Sequence, residues 1–160
     1  MAEPLSDGVI RRIGQAAELY HRLVILVAPA GAGKTAALQD VHERTAAPLV
    51  NVNLELTRRM LDLTERQRAL QLPRLLAEIV YASASAAEVI LLDNIEILFD
   101  VSLKQDPLRL LQGLSRNKTV VAAWGGSIDD KQLLYATPGH TEYKRYPIRD
   151  FLVVSPEAVA

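Results

Sequence analysis

The sequence predicts an α/β fold: a single domain with a central, mostly parallel five-stranded sheet and helices on both faces. Three observations predict it. Strand-like apolar runs alternate with helix-patterned segments along the whole chain, the pattern of βαβ units. The runs Leu23-Val24-Ile25-Leu26-Val27 and Val89-Ile90-Leu91-Leu92 are continuously apolar, as strands covered on both faces must be. The chain has 160 residues, 49% of them hydrophobic, enough for one sizeable core.

Taken in order, Ser6 or Asp7 is expected to cap a first helix with Ile10, Ile13, Ala17 and Tyr20 at helical spacing. Residues 1–22 are assigned to this helix and 23–155 to the core. The first strand follows, and Leu38 and Val41 mark the buried side of a helix over residues 34–45. Pro48 opens a second strand over 49–54, in which Asn51, Asn53 and Glu55 form a polar face against Val52, Leu54 and Leu56. Residues 55–71 read as a helix with a possible break. Pro73 suits the first position of the next helix, with Leu72, Leu75, Leu76, Ile79 and Val80 as its apolar stripe. The small residues 82–87 end that helix, and the third strand closes at Asp93. Asp106 and Pro107 pair a cap with an N-terminal proline for a helix carrying Leu108, Leu110, Leu111 and Leu114. A fourth strand, residues 119–124, is expected to break at Gly125-Gly126. A turn at Pro138-Gly139 and a last strand over 148–154 complete the sheet.

The stretch between the first strand and its helix, Ala28-Pro29-Ala30-Gly31-Ala32-Gly33-Lys34-Thr35, reads as a phosphate-binding loop. Small residues let backbone N–H groups turn toward a polyphosphate, so Ala30, Gly31, Ala32, Gly33, Lys34 and Thr35 are the expected nucleotide-binding residues. Lys34 reaches the outer phosphates, and the Thr35 hydroxyl ligates Mg2+. The following helix aims its positive N-terminus at the same anion. The pattern usually begins with Gly, and Ala28 stands there. The domain is therefore expected to be a single P-loop NTPase domain.

Ligands of parallel sheets bind beyond the carboxyl ends of the strands, so residues after strands one, three and four should converge. Asp93, ending the third strand, is the second expected Mg2+ ligand; the alternative is a carboxylate that caps its turn. ATPases of this type commonly place Glu directly after that Asp, whereas this chain has Asn94. Glu96 is then the candidate general base, with Asn94 orienting water or substrate, so Lys34, Asp93, Asn94 and Glu96 are the predicted catalytic set. Ser127 is the candidate sensor of the γ-phosphate after the fourth strand.

Net charge is −1, so no global field selects a nucleic-acid partner. The most basic stretch, residues 57–74, holds Arg58, Arg59, Arg66, Arg68 and Arg74 against Asp62 and Glu65. It reads as a solvated helical face, with a partner surface, DNA, or an arginine finger given to a neighbour as alternatives. Cysteine is absent, which removes disulfides and thiolate metal sites. The first residues lack the features of a secretory signal and no run approaches a membrane span, so a cytoplasmic protein is expected.

The loop 28–35, the phrase Leu91-Leu92-Asp93-Asn94-Ile95-Glu96-Ile97-Leu98-Phe99-Asp100, the run Ser102-Leu103-Lys104-Gln105-Asp106-Pro107-Leu108-Arg109-Leu110-Leu111 and the segment Pro138-Gly139-His140-Thr141-Glu142-Tyr143 together resemble the small BrxF-type P-loop proteins of BREX phage-defence systems. The resemblance implies an AAA+/STAND-like P-loop domain acting with the other BREX defence proteins; ATP and Mg2+ are the expected ligands, and a homo-oligomer is the expected assembly. The sequence stops soon after its fifth strand, so the helical lid that many AAA+ proteins carry is expected to be absent, along with any second sensor on it. Other expectations for the same site are a small-molecule P-loop kinase, or a nucleotide-gated scaffold that binds proteins or DNA with little turnover.

Overall fold

The structure is a computed structural model that describes residues 4–84, 86–137 and 139–156. Five parallel strands form the centre: β1 (Leu23–Ala28), β2 (Leu49–Asn51), β3 (Val89–Asp93), β4 (Thr119–Asp129) and, last in the chain, β7 (Leu152–Val154), in the order β2-β3-β4-β1-β7. Helices cover both faces, as the alternating pattern predicts. Every residue of β1 is buried, and its side chains divide between two cores. Leu23, Ile25 and Val27 pack on one side with α3 (Val52–Met60), α4 (Glu65–Ala84) and α5 (Pro107–Leu114). Val24 and Leu26 pack on the other with α1 (Leu5–Ala16) and α2 (Lys34–Thr45). This division is why β1 shows no alternation in its sequence: both of its faces lie against helices.

Several boundaries differ from expectation. α1 begins before Ser6 and has no side-chain cap. Tyr20 lies beyond the helix and is exposed. β2 stops at Asn51, where the Asn51 side chain accepts from Leu54 N (3.1 Å) and starts α3. The alternation through residue 55 therefore reflects the stripe of a helix, with Val52 and Leu56 buried. The break expected in residues 55–71 lies between α3 and α4. There Thr64 Oγ1 accepts from Gln67 N (3.2 Å), and Gln67 Oε1 accepts from Thr64 N (2.9 Å), a reciprocal capping box.

Because α4 starts at this box, Pro73 sits inside the helix and not at its first turn. An interior proline cannot donate to the carbonyl four residues back, which here is Ala69. Gln105 fills the gap, its Nε2 donating to Ala69 O at 2.8 Å and to Leu103 O at 2.7 Å. The adjoining residues also have local tasks. Lys104 takes positive φ (54°) to end the short 3-10 turn Val101–Leu103. Asp106 caps α5 by accepting from Arg109 N (3.3 Å) and also accepts from the Tyr146 hydroxyl (2.8 Å), and Pro107 opens the helix.

The largest difference lies after β4. The strand runs through Gly125-Gly126 instead of breaking there, leaves the parallel sheet, and pairs antiparallel with β5 (Gln132–Tyr135), which pairs with β6 (Lys144–Pro147). The sheet therefore has seven strands where five were expected. Gly126 is essential to the crossing: a Cβ there would lie 2.0 Å from Leu134 O. Of the predicted turn at Pro138-Gly139, Pro138 lies outside the described residues. The last strand is confined to Leu152–Val154.

Candidate functional site

The carboxyl ends of β1, β3 and β4 open onto a cleft of about 610 Å³. Ala30, Gly31, Gly33, Lys34 and Thr35 line it from the loop after β1, and Asp93, Asn94 and Glu96 from the segment after β3. Eight of the nine predicted site residues thus meet in one place. Ala32 does not: its N–H donates to Pro29 O within the loop (3.2 Å), and the residue lines a second cavity.

The loop geometry follows from its glycines. Gly31 (φ 80°) and Gly33 (φ 94°) both occupy left-handed backbone conformations that side chains disfavour. Gly33 is the N-cap residue of α2, no side chain caps this helix, and its first turn holds no acidic residue. The first-turn amides, which lack partners within the helix, point with the positive end of the dipole toward the cleft. Lys34 begins α2, is 8% exposed, and donates from Nζ to Ala28 O (2.8 Å) and Pro29 O (3.0 Å). Its charge is held beneath the loop by two carbonyl oxygens.

β4 lies between β1 and β3, so the β1 loop and the end of β3 are not neighbours in the sheet. They meet above it. Thr35 Oγ1 donates to Asp93 Oδ2 at 2.7 Å, and Asn94 N donates to Asp93 Oδ1 at 2.9 Å. Asp93 is 6% exposed. These two donors offset the desolvation of a buried carboxylate. Asn94 adopts φ 54°, ψ 53°, a left-handed turn that asparagine tolerates better than most residues. Its carbonyl accepts from Asn53 N (3.1 Å) and ties the start of α3 to the site. The turn carries Glu96, in the 3-10 segment Ile95–Phe99, into the cleft with its side chain exposed. A Cβ on Gly125 would lie 3.6 Å from Glu96 Oε1, so Glu96 reaches across the end of β4.

Three residues absent from the predicted site complete the lining: Ala36 from the first turn of α2, Gly125 from β4 and Tyr135 from β5. Gly125 follows from the paired glycines once β4 is known to continue. Nothing in the sequence points to Tyr135, because the hairpin that delivers it is built on the Asp130-Lys131 turn, where both residues take positive φ (46° and 63°). Such turns are usually written with Asn and Gly. Ser127 is displaced from its expected role. It pairs with Leu134 in the hairpin and lines the second cavity, of about 300 Å³, with Ala28, Pro29 and Ala32.

The basic stretch forms contacts of its own. Arg58 and Arg59 pair with Glu55 on the same helix (3.2 and 2.9 Å), Arg74 pairs with Glu78 (3.7 Å), and Arg68 donates to Leu63 O (3.1 Å). This is the arrangement of a solvated helical face. No group of three or more His, Cys, Asp or Glu side chains converges as a metal site among the described residues. No helix among them is long and apolar enough to cross a membrane. No family model matches this chain, and a search of curated proteins finds no match.

Proposed function

We propose that the protein binds ATP and Mg2+ in this cleft and hydrolyses ATP as an ATPase of a BREX-type anti-phage complex. The observation that carries the nucleotide reading is the 2.7 Å hydrogen bond between Thr35 Oγ1 and Asp93 Oδ2. It joins a hydroxyl and a carboxylate at the foot of a glycine loop, although their strands are not adjacent. Mg2+ takes one or two carboxylates from a protein and completes its shell with phosphate and water oxygens, so this donor pair fits it. Thr35 and Asp93 would hold the ion, which would offset the charge of the outer phosphates.

The remaining work falls to the chain itself. The loop amides and the α2 N-terminus face the phosphates. Lys34 exchanges the Ala28 and Pro29 carbonyls for phosphate oxygens, a short swing for a flexible side chain. Glu96, exposed in the cleft, accepts the proton of the attacking water, and Asn94 orients that water.

Titration of the chain with ATP, with and without Mg2+, tests the reading. Mg2+-dependent binding should weaken roughly 100-fold in Lys34→Ala, as expected when a charge-assisted contact to phosphate is lost. A wild-type chain that binds no ATP, or an unchanged variant, overturns it. The defence setting and association with other BREX proteins rest on the resemblance carried by residues 28–35, 91–100, 102–111 and 138–143, and a cytoplasmic homo-oligomer is proposed beside them. Copurification with those proteins, and light scattering with and without Mg-ATP, test them. DNA contact belongs to the scaffold alternative, and steep salt dependence of any DNA binding is its signature.

A further inference from the structure

Tyr135 lines the cleft with Lys34, Asp93 and Glu96, yet it comes from a strand outside the parallel sheet. Its ring is held on two sides. It stacks on Phe99 with centroids 3.5 Å apart and planes 10° from parallel, and Trp124 meets it edge-on at 6.2 Å and 87°. Phe99 ends the same 3-10 turn that carries Glu96. Trp124 donates from Nε1 to Leu134 O (3.0 Å) and so clamps β4 to the hairpin. This packing orders the ring but leaves its polar end free: among the described residues, the hydroxyl makes no hydrogen bond.

The hydroxyl is a donor over the physiological range. Burial, reinforced by the negative charges of Glu142 and Glu96, pushes its pKa up to about 12. A neutral O–H donor in a wall that also presents Lys34, Asp93 and Glu96 suits an anionic oxygen bound between them. Ser127, the residue expected to touch the outer phosphate, lines the other cavity.

We propose that Tyr135 donates its hydroxyl to the outermost phosphate of the bound nucleoside triphosphate, so that the β5–β6 hairpin distinguishes triphosphate from diphosphate. This rests on the nucleotide reading above. The contact joins the phosphate, through Tyr135 and Phe99, to the turn bearing Glu96, and the base is thereby positioned only when the third phosphate is present.

Tyr135→Phe keeps the stack on Phe99 and deletes only the hydroxyl. Affinities for a non-hydrolysable ATP analogue and for ADP, both with Mg2+, are measured on wild type and variant, with thermal melting to confirm that the variant folds. The analogue should bind roughly 10- to 100-fold more weakly to the variant, the range for a lost hydrogen bond to a charged group, while ADP affinity stays within about twofold. Trp124, the single tryptophan, gives a second readout. Its emission should respond differently to the analogue and to ADP in wild type, and alike in Tyr135→Phe. If wild type binds the analogue and the variant keeps the same analogue-to-ADP ratio, the inference fails and the nucleotide reading stands. If wild type binds neither ligand, both fail.

Discussion

Asp93 and Thr35 hold one another in a geometry that serves stability and ligand binding together, and substitutions can separate the two. Thr35→Val keeps the β-branched shape on α2 and removes only the hydroxyl, leaving Asp93 Oδ2 buried without its donor. An unsatisfied buried acceptor of this kind costs about 1–3 kcal/mol. The variant should therefore lose that much stability in urea, and its ATP affinity should no longer respond to Mg2+. Glu96 is the contrasting case. It is exposed and makes no structural hydrogen bond among the described residues, so Glu96→Gln should melt within about 0.5 kcal/mol of wild type. ATP should bind as before, and turnover should fall by a factor of about 100 or more, as expected for loss of a general base. Unchanged turnover in this variant removes Glu96 from the chemistry and leaves binding intact.

At the scale of elements, the most unusual feature is a 20-residue helix with proline at its middle. Gln105 donates to the Ala69 carbonyl that Pro73 leaves without a partner, from 36 residues away in the chain. Gln105→Ala should cost about 1–2 kcal/mol by exposing that deficit. In a Pro73→Ala background the restored N–H satisfies Ala69, and the same substitution should cost distinctly less. A double-mutant cycle by urea denaturation measures the coupling, and additive effects contradict the assignment. This pair also shows where sequence reading stops. Leu38, Val41, the β3 run and the Asp106-Pro107 cap were legible because each signal is local. The position of Pro73 was not, because its compensation comes from a distant side chain, and because the Thr64–Gln67 capping box outweighs proline as the start of the helix. The second strand ends before its alternation does for a similar reason: two strand periods and one helical turn agree on Val52 and Leu56, and only the Asn51 cap decides between them.

For the whole molecule, the parallel sheet was legible from the doubly buried strands, and the site from what such a sheet does with the ends of its strands. Thr35 and Asp93 could be paired in advance because topology, not sequence proximity, brings them together. The β5–β6 extension was hidden because its turn residues do not favour the backbone they adopt. That extension also gives the molecule its response to alkaline pH. Tyr135 is raised from 10.0 to about 12, chiefly by burial, and Tyr146 is raised as well, first by burial and then by its hydrogen bond to Asp106. In the unfolded chain both phenols release their protons near their ordinary value of about 10, whereas the folded chain retains them to higher pH. Above pH 10 the folded state thus binds more protons than the unfolded one, so stability must fall as pH rises from about 10 toward about 12, while below that window both forms are protonated and the two groups add no slope. Urea midpoints measured from about pH 9 to about pH 12 should decline in wild type and decline less in Tyr135→Phe/Tyr146→Phe. Each single variant should recover part of the difference, because the two phenols contact different partners, Phe99 and Asp106. Equal slopes in wild type and the double variant would show that the hairpin does not hold these protons.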